Sequence, residues 1–537
     1  MDGGVVSQPD NQAVDVLVVG AGPTGLTLAA QLAAHGVRPR VIDRAADRVH
    51  ESRALAIQPR TLEVLAGLGI TEHLVVAGNP AVQLRLHTGK RTVSLPLFDL
   101  GLDDTAYPYL LFLSQAETER ILEEHLNTAG ITVERRTELT TMEQAGDVVE
   151  CRLRQADSNE QAVTARYVVG CDGAHSTVRQ LAGIGFEGGS YPQTFVLADT
   201  EADGIDADAA HAFLSTQGML LFFPLGRPTT WRLLAMRPRT ATAPSDATIT
   251  LDEVQKLADA YTGGTVQLRD PVWMTNFRLH HRAATRYHTG RVFLAGDAAH
   301  IHSPAGAQGM NTGIQDATNL AWKLAHGLRG VTDPALLDSY QTERAPIGRL
   351  VLRLTNRAFT VATSTNPLIQ LARTRLVPAI LPLAARANTG RAYAFRAISQ
   401  LATNYRHSPL STNGPNPRGR HLKAGDRLPD APLRHHGNDT TLHQITAAPR
   451  WHLLRVQNDD IQPDAINHLT DRYPDLLHTH RLQTASNTEA LRRLGITSTA
   501  TAVFVIRPDG HIGYRAGRPD EPTLDAYLSR WLSSRAR

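Results

Sequence analysis

Three glycine-rich clusters in this 537-residue chain have the residue types and spacing to form ligand sites, the first of them for the pyrophosphate of a dinucleotide. The first is Gly20-Ala21-Gly22-Pro23-Thr24-Gly25, with the acid Asp43 further on. Gly20 permits a tight turn, Gly22 lets a pyrophosphate approach the backbone, and Gly25 lets a helix pack closely. A helix starting here offers unpaired N–H groups and its positive dipole end to phosphates. Asp43 can accept hydrogen bonds from an adenosine ribose. The spacing fits NAD and FAD equally.

The second cluster is Gly170-Cys171-Asp172-Gly173, with Ser176 and Arg179 just beyond. Asp172 reads either as part of a site or as an acid capping a turn. The third is Gly296-Asp297, followed by a loop with Pro304, Gly306 and Gly309. Asp297 can receive the hydroxyls of a ribityl chain. The loop and the next helix start can offer N–H groups to an electron-rich ring oxygen. Two further residues keep two readings each. Arg53 is a phosphate or ring-edge contact, or a solvated arginine. Gln115 donates its amide to a ligand, or is an ordinary first-turn residue.

Other candidates carry less. In an extended segment His300 and His302 would share a face, but no third ligand completes a metal site, and none is expected. Cys171 reads as core, without a histidine partner. Met219, Phe222, Phe223 and Trp273 suit an aromatic ligand or a core equally. No side-chain base stands out.

The elements that must position these residues follow from the apolar pattern. Ala13–Val19 reads as a buried strand, residues 26–36 as a helix and 37–43 as a second strand. Pro59 opens an amphipathic helix ending near Gly67 or Gly69. Ser114 with Glu117 reads as a capping box for the helix carrying Gln115. Strands lead into Gly170 and Gly296, and a helix follows Gly309. Residues 186–285 alternate as strands of a separate, mostly antiparallel sheet, interrupted by one helix near 251–264. Helix is expected after Ser339 with a break near Pro346, and again over 368–387 with breaks at Pro378 and Pro382. The Pro, Gly, Asn and Ser texture of 402–421 marks a boundary. Beyond it a hairpin turns at Pro508-Asp509-Gly510.

Composition bounds the rest. With 42% hydrophobic and 20% charged residues, the chain can bury a large core. A formal net charge of +3, with Lys and Arg scattered, leaves no nucleic-acid footprint. Only Cys151 and Cys171 occur, so no disulfide framework is expected. No basic leader and no long apolar run stand out, so no membrane association is expected and a cytoplasmic location is the default.

GAGPTG, Asp43, SRALAIQPRTLEV, GCDGAHSTVR and GDAAHIHSPAGAQGMNTGIQDATNL stand in this order. Together they resemble the class A flavoprotein aromatic hydroxylases, the FAD monooxygenases that include para-hydroxybenzoate and phenol hydroxylases. The resemblance spans roughly residues 14–400 and is most specific over 296–320. The run SPAGAQGMNTGIQDATNLAWKLA, and a C-terminal segment with LKAGDRLPDAPL and VFVIRPDGHIGYR, resemble the polyketide-tailoring branch of angucycline, anthracycline and rifamycin hydroxylases.

The resemblance implies an α/β architecture in four segments. A Rossmann-like FAD-binding domain occupies 14–185 and is completed by 291–405. A substrate-binding β-sheet domain is inserted at 186–290, with 80–105 able to pack with it. A thioredoxin-like domain without active cysteines covers 417–537. It implies that Gly20, Gly22, Gly25, Asp43, Arg44, Arg53, Gln115, Asp172, Asp297, Pro304, Gly309, Met310 and Asn311 line the FAD. Pro304, Gly306 and Gly309 position the flavin, with no side-chain base assigned. Asp43 stands where glutamate is commonest in this branch, and both acids can take a ribose hydroxyl.

The implied activity is hydroxylation of a phenolic or quinonoid polycyclic aromatic substrate through a C4a-hydroperoxyflavin, with NADPH or NADH as transient reductant and O2. Baeyer–Villiger insertion, epoxidation, other oxidative outcomes and a non-catalytic flavin scaffold stay open. So does the choice between monomer and homodimer.

Overall fold

The computed structural model describes residues 12–48, 54–81, 83–88, 91–96, 102–215, 218–225, 230–237, 249–302, 307–331, 333–364, 366, 369–370, 395–415, 422–457, 469, 471–496, 501–518 and 520–533. Among them no helix is long and apolar enough to cross a membrane.

The first sheet is built on a run of apolar residues. Strand Gln12–Val19 carries Val16, Leu17 and Val18, each fully buried, as a parallel strand covered on both faces requires. It pairs in parallel with Glu160–Gly170 on one side and Arg40–Ile42 on the other. Val133–Glu134 and Val292–Leu294 extend the parallel order outward. The second strand is shorter than the sequence suggests, starting at Arg40 rather than Val37. The hairpin Glu138–Ala145 and Val148–Arg154 adds antiparallel to Glu160–Gly170. Helices Pro23–Ala34, Gln115–Thr128 and Gly309–Leu328 pack together beside it.

The second sheet runs His300–Ile301, Gln267–Ala284, Phe186–Asp203, Trp231–Met236, Gly218–Pro224, Ala209–Ser215, Gln83–Thr88 and Arg91–Pro96. All its pairs are antiparallel except Ala209–Leu214 with Gln83–Thr88. The sheet is therefore mixed, because its outer two strands arrive from residues 83–96, far from the rest in sequence. Helix Leu251–Thr262 covers one face. Thr250 and Glu253 close a reciprocal capping box at its start, and Gly263 ends it at φ 68°.

The C-terminal sheet runs Thr412–Asn413, Ile512–Ala516, Ala502–Ile506, Trp451–Gln457 and Leu477–Gln483. The expected hairpin turns through Gly510 at φ 76°. One face packs Trp451, Val503, Val505 and Trp531 against Trp322 and Leu336 from the first domain's helices, so the two domains share a core.

Helix Ala335–Thr363 runs through Pro346 without the expected break. Two residues just before the proline are held by buried ion pairs, Glu343 to Arg507 and Lys323, and Arg344 to Asp316. These anchor the helix where the missing N–H would otherwise loosen it. Most of the helix expected over 368–387 lies outside the described residues.

Candidate functional site

The three glycine turns meet because of strand register. Val19 pairs with Gly170, and Gly170 with Leu294, across three adjacent parallel strands. The turns that follow therefore emerge side by side at the carboxyl edge of the sheet, where open α/β sheets bind ligands.

Each glycine of the first turn answers to a different neighbour. A Cβ on Gly20, at φ 104°, would lie 2.4 Å from the Cys171 carbonyl oxygen. A Cβ on Gly25 would lie 1.9 Å from the Gly20 carbonyl oxygen. Those two glycines serve close packing. At Gly22 the nearest atom is Glu119 Oε1, at 3.9 Å, so the backbone faces open space. Gly22 is also the N-cap of helix Pro23–Ala34, with no side-chain cap, and the first helical bond is Leu26 N–H to Gly22 C=O. The earlier N–H groups point out of the helix end toward that space.

The acids flanking the turn are already engaged. Asp43 accepts from the Ala21 N–H at 2.6 Å and the Ala45 N–H at 2.7 Å, tying the glycine turn to the second strand. It stays half-buried, and each oxygen keeps a second lone pair. Arg44 is exposed. Arg53 lies outside the described residues. Ser114 caps its helix by accepting from Glu117 N–H, but the Glu117 carboxylate turns to Arg120, so the capping box is one-sided. Gln115 donates to Glu119 Oε1 at 2.8 Å, and its own N–H donates to the Ala54 carbonyl at 3.2 Å. Glu119, 1% exposed beneath Gly22, was not singled out by sequence. Its position four residues after Gln115 on one helix face was the available signal.

Asp172 takes up its capping role. It accepts from the Ser176 hydroxyl and from the Val178 N–H at 3.1 Å. Burial pushes its carboxyl above the ordinary value, against those hydrogen bonds. Arg179 ties this turn to the third one, donating to the carbonyls of Ala174 and Ala298, each at 2.9 Å. Cys171 is buried, and burial pushes its thiol well up, as a core cysteine.

Asp297 stands exposed on the short 3-10 turn Gly296–Ala298. Gly296, at φ 62°, abuts Thr24, whose Oγ1 would lie 2.5 Å from an added Cβ. Helix Gly309–Leu328 meets the same threonine at Gly313. A Cβ on Gly309 would meet nothing within 4 Å. Met310 is half-buried. The Asn311 side chain is spent on structure, accepting from Gln58 N–H and donating to the carbonyls of Ala56 and Ala307, each at 2.8 Å. Only its backbone remains for a ligand. Pro304 and Gly306 lie outside the described residues. Ala307 holds φ 52°, a strained angle for a residue with a side chain.

Behind this loop runs a buried chain of four side chains that sequence reasoning did not assemble. His302 Nε2 meets His300 Nδ1 at 2.7 Å, and His300 Nε2 meets Asp316 Oδ2 at 2.6 Å. Arg344 Nε donates to Asp316 Oδ1 at 2.6 Å, and the Gly296 N–H donates to Oδ2. Because a carboxylate only accepts, a proton stands on His300 Nε2. Burial would raise the Asp316 carboxyl, but the Arg344 guanidinium and His300 hold it below the ordinary value. Burial, then His300, push His302 well below the usual histidine range.

The second sheet meets the loop with an apolar wall. Phe223, Tyr109 and Ala307 pack around Leu55, Ala56, Phe112, Ala210 and Leu225. Phe222 instead lies fully buried under helix Leu251–Thr262, and Met219 is buried in a third cluster. Trp273 is half-buried and donates to Asp199 at 2.9 Å. Asp199 also receives both arms of the buried Arg232, whose remaining nitrogen donates to the Ala54 carbonyl.

The open backbones at Gly22 and Gly309 lie at the starts of two helices that meet through Thr24. Comparison with known proteins identifies the class. The family profile described as FAD binding domain matches residues 13–355, and the one described as aromatic-ring hydroxylase, C-terminal, matches 421–534. The chain belongs to the FAD-dependent aromatic-ring hydroxylases, in the group that holds the actinomycete tetracycline, rifamycin and angucycline hydroxylases. It is 35% identical over 535 residues to the 6-methylpretetramide 4-monooxygenase of Streptomyces rimosus, covering 97% of this chain and 94% of that one. The anhydrotetracycline hydroxylase from Streptomyces rimosus superposes with a TM-score of 0.76 at 28% identity, covering 98% of this chain and 100% of that chain. Aklavinone-11 hydroxylase, in a complex with FAD and aklavinone, gives 0.77 at 26% identity, with the same coverage. The protein is a FAD-dependent monooxygenase acting on aromatic or polyketide substrates.

Proposed function

We propose that this chain hydroxylates a phenolic or quinonoid polycyclic aromatic ring, using NADPH or NADH and O2. The register Val19–Gly170–Leu294 carries the reading, because it brings three distant glycine turns to one sheet edge. When bound, FAD supplies the acceptance of two electrons from the nicotinamide and the activation of oxygen.

The chain's residues do the rest. Backbone N–H groups after Gly22 bind the pyrophosphate, and Gly20 and Gly25 shape that turn. Asp43 accepts from the adenosine ribose, and Asp297 from the ribityl chain. Arg44, Arg53, Gln115 and Asp172 complete the surround, Gln115 and Asp172 by holding neighbouring segments. The N–H groups of Gly309, Met310 and Asn311, with the helix dipole behind them, stabilise negative charge on the flavin ring. Pro304 and Gly306 set the loop against the ring. The wall around Phe223 orients the substrate and excludes water.

In this reading the segments 14–185 and 291–405 form the FAD-binding domain, 186–290 the substrate domain, and 417–537 a thioredoxin-like domain. The thioredoxin-like reading of the last rests on its five-stranded mixed sheet flanked by helices. It holds no cysteine, and Cys151 and Cys171 elsewhere are buried and free, which supports a structural role and a cytoplasmic location. The polycyclic reading is supported by the named activities of relatives on tetracycline-type and aklavinone substrates.

The test is incubation with NADPH, ¹⁸O₂ and a panel of polycyclic phenols and quinones, with mass analysis. A labelled ring hydroxyl supports the proposal. A labelled ester or epoxide oxygen, or no oxygenated product with FAD bound, overturns it.

A further inference from the structure

The C-terminal domain gathers five histidines in one cluster, with His452 and His480 buried and His478 exposed. His452 lies in strand Trp451–Gln457, and His478 and His480 in Leu477–Gln483. The strands pair in parallel, with His452 opposite His478 and Leu454 opposite His480. Residues two apart in a strand share a face, so the three imidazoles project from one side. One ligating nitrogen from each lies within 4.8 Å of the others. His435 brings its ring 5.4 Å from that of His480, with His436 beside it.

Hydrogen bonding fixes the protons. His452 Nε2 contacts the Ala448 carbonyl at 3.0 Å, and a carbonyl only accepts, so Nε2 carries the hydrogen. In the neutral ring Nδ1 is then a lone pair, 3.0 Å from His480 Nε2. One proton, on His480 Nε2, lies between the two rings. Arg450 donates to His478 Nε2 at 3.1 Å, so that nitrogen is also a lone pair. An imidazole N–H backed by a carbonyl is the arrangement that orients metal-ligating histidines.

We propose that His452 Nδ1, His480 Nε2 and His478 form a site for a divalent transition-metal ion of the zinc class. The ion takes the place of the proton between His452 and His480, and that proton moves to Nδ1 of His480, which remains a neutral ligand. Zinc–nitrogen bonds of about 2.0–2.1 Å in a tetrahedron set neighbouring nitrogens roughly 3.4 Å apart, so the 3.0 Å contact opens by a few tenths of an ångström. Exposed His478 stands at the mouth, and His435 or water fills the fourth position. The opposing group is Arg450, whose cation must swing into solvent.

The full-length, FAD-loaded protein, freed of metal by chelation, is titrated with Zn2+ against a chromophoric chelator and with Cu2+ under electron paramagnetic resonance. One tight equivalent is expected, with nitrogen hyperfine splitting from at least two imidazoles. His452→Asn and His480→Ala each weaken the tight site at least roughly tenfold. Arg450→Ala tightens it. The 450 nm FAD absorbance and the metal-free melting temperature report that the variants fold. Binding that is weak, superstoichiometric or unchanged in these variants overturns the site. So does a Cu2+ spectrum without nitrogen splitting in the parent protein, whatever the variants' stability.

Discussion

Thr24 and Gly313 meet across 289 positions of sequence, with Thr24 Oγ1 at 2.3 Å from where a Gly313 Cβ would stand. The same threonine abuts Gly296. One small side chain thereby locks the start of the first helix to the third glycine turn and to the helix opened by Gly309. The two helix starts proposed to hold FAD are thus kept in register by packing.

The glycines therefore separate under substitution. Gly313→Ala drives a methyl into Thr24 and lowers both melting temperature and FAD retention. Gly309→Ala finds open space, and a helical Ala is favoured over Gly by roughly 0.5–1 kcal/mol. That variant should melt no lower, yet bind FAD more weakly, because its methyl occupies the proposed FAD site. Melting curves and FAD titration of the apoprotein check both. Unchanged FAD affinity in Gly309→Ala refutes the assignment of that helix start.

Asp316 gives the acid limb of stability. Arg344 and His300 hold its folded value below the ordinary carboxylate value despite burial. The unfolded chain thus binds more protons in that window, and the contribution is complete above about pH 4 and fades as pH falls through the lower folded value. Asp316→Asn should flatten this part of the urea-unfolding profile. At neutral pH it costs about 3–5 kcal/mol, because Arg344 is left buried without its carboxylate. An acid profile unchanged from the parent protein counts against the pairing.

The glycine turns were legible in the sequence because their constraints are local: a strand, a turn and a helix within a few residues. The register that unites them was not, since it depends on strands separated by more than a hundred positions. His300 and His302 were read as a rejected metal pair. Their actual use needs Asp316 and Arg344, which only helix packing supplies. The parallel edge of the second sheet, the run of helix through Pro346, and the pairing of His452 with His478 share this cause. Buried charge is the hardest case, because Lys, Arg and Glu in a sequence read as solvated.

Glu343 is such a case. It bridges the domains, accepting from Arg507 of the C-terminal hairpin at 2.6 and 2.9 Å and from Lys323 at 2.7 Å. Burial opposes its charge, but Arg507 and Lys323 hold it down to about 2. Lys323 is itself pushed down to about 8, by burial first, since Glu343 offsets this only in part. Glu343→Gln leaves buried Lys323 without a carboxylate and Arg507 with Asp509 alone, and should cost about 3–5 kcal/mol. Lys323→Met removes a charge that burial already disfavours, and should cost far less. Denaturant unfolding of both variants decides; equal losses contradict the account.

Phe222 and Phe223 put the substrate wall to the sharpest test, because adjacent strand residues face opposite ways. Phe222 is fully buried beneath helix Leu251–Thr262, with Trp231 at 5.9 Å. Its truncation to Ala leaves a core cavity and should cost about 3–5 kcal/mol. Phe223 is half-buried, 5.7 Å from Phe112 and in the cluster that includes Ala307. Phe223→Ala should fold and hold FAD normally. Its defect appears in turnover, as a raised KM for the aromatic substrate and less hydroxylated product per NAD(P)H consumed, because the ring is held less firmly and water enters. Steady-state kinetics with product quantification read both quantities. If Phe223→Ala matches the parent in KM and coupling, this face of the sheet does not bind the substrate.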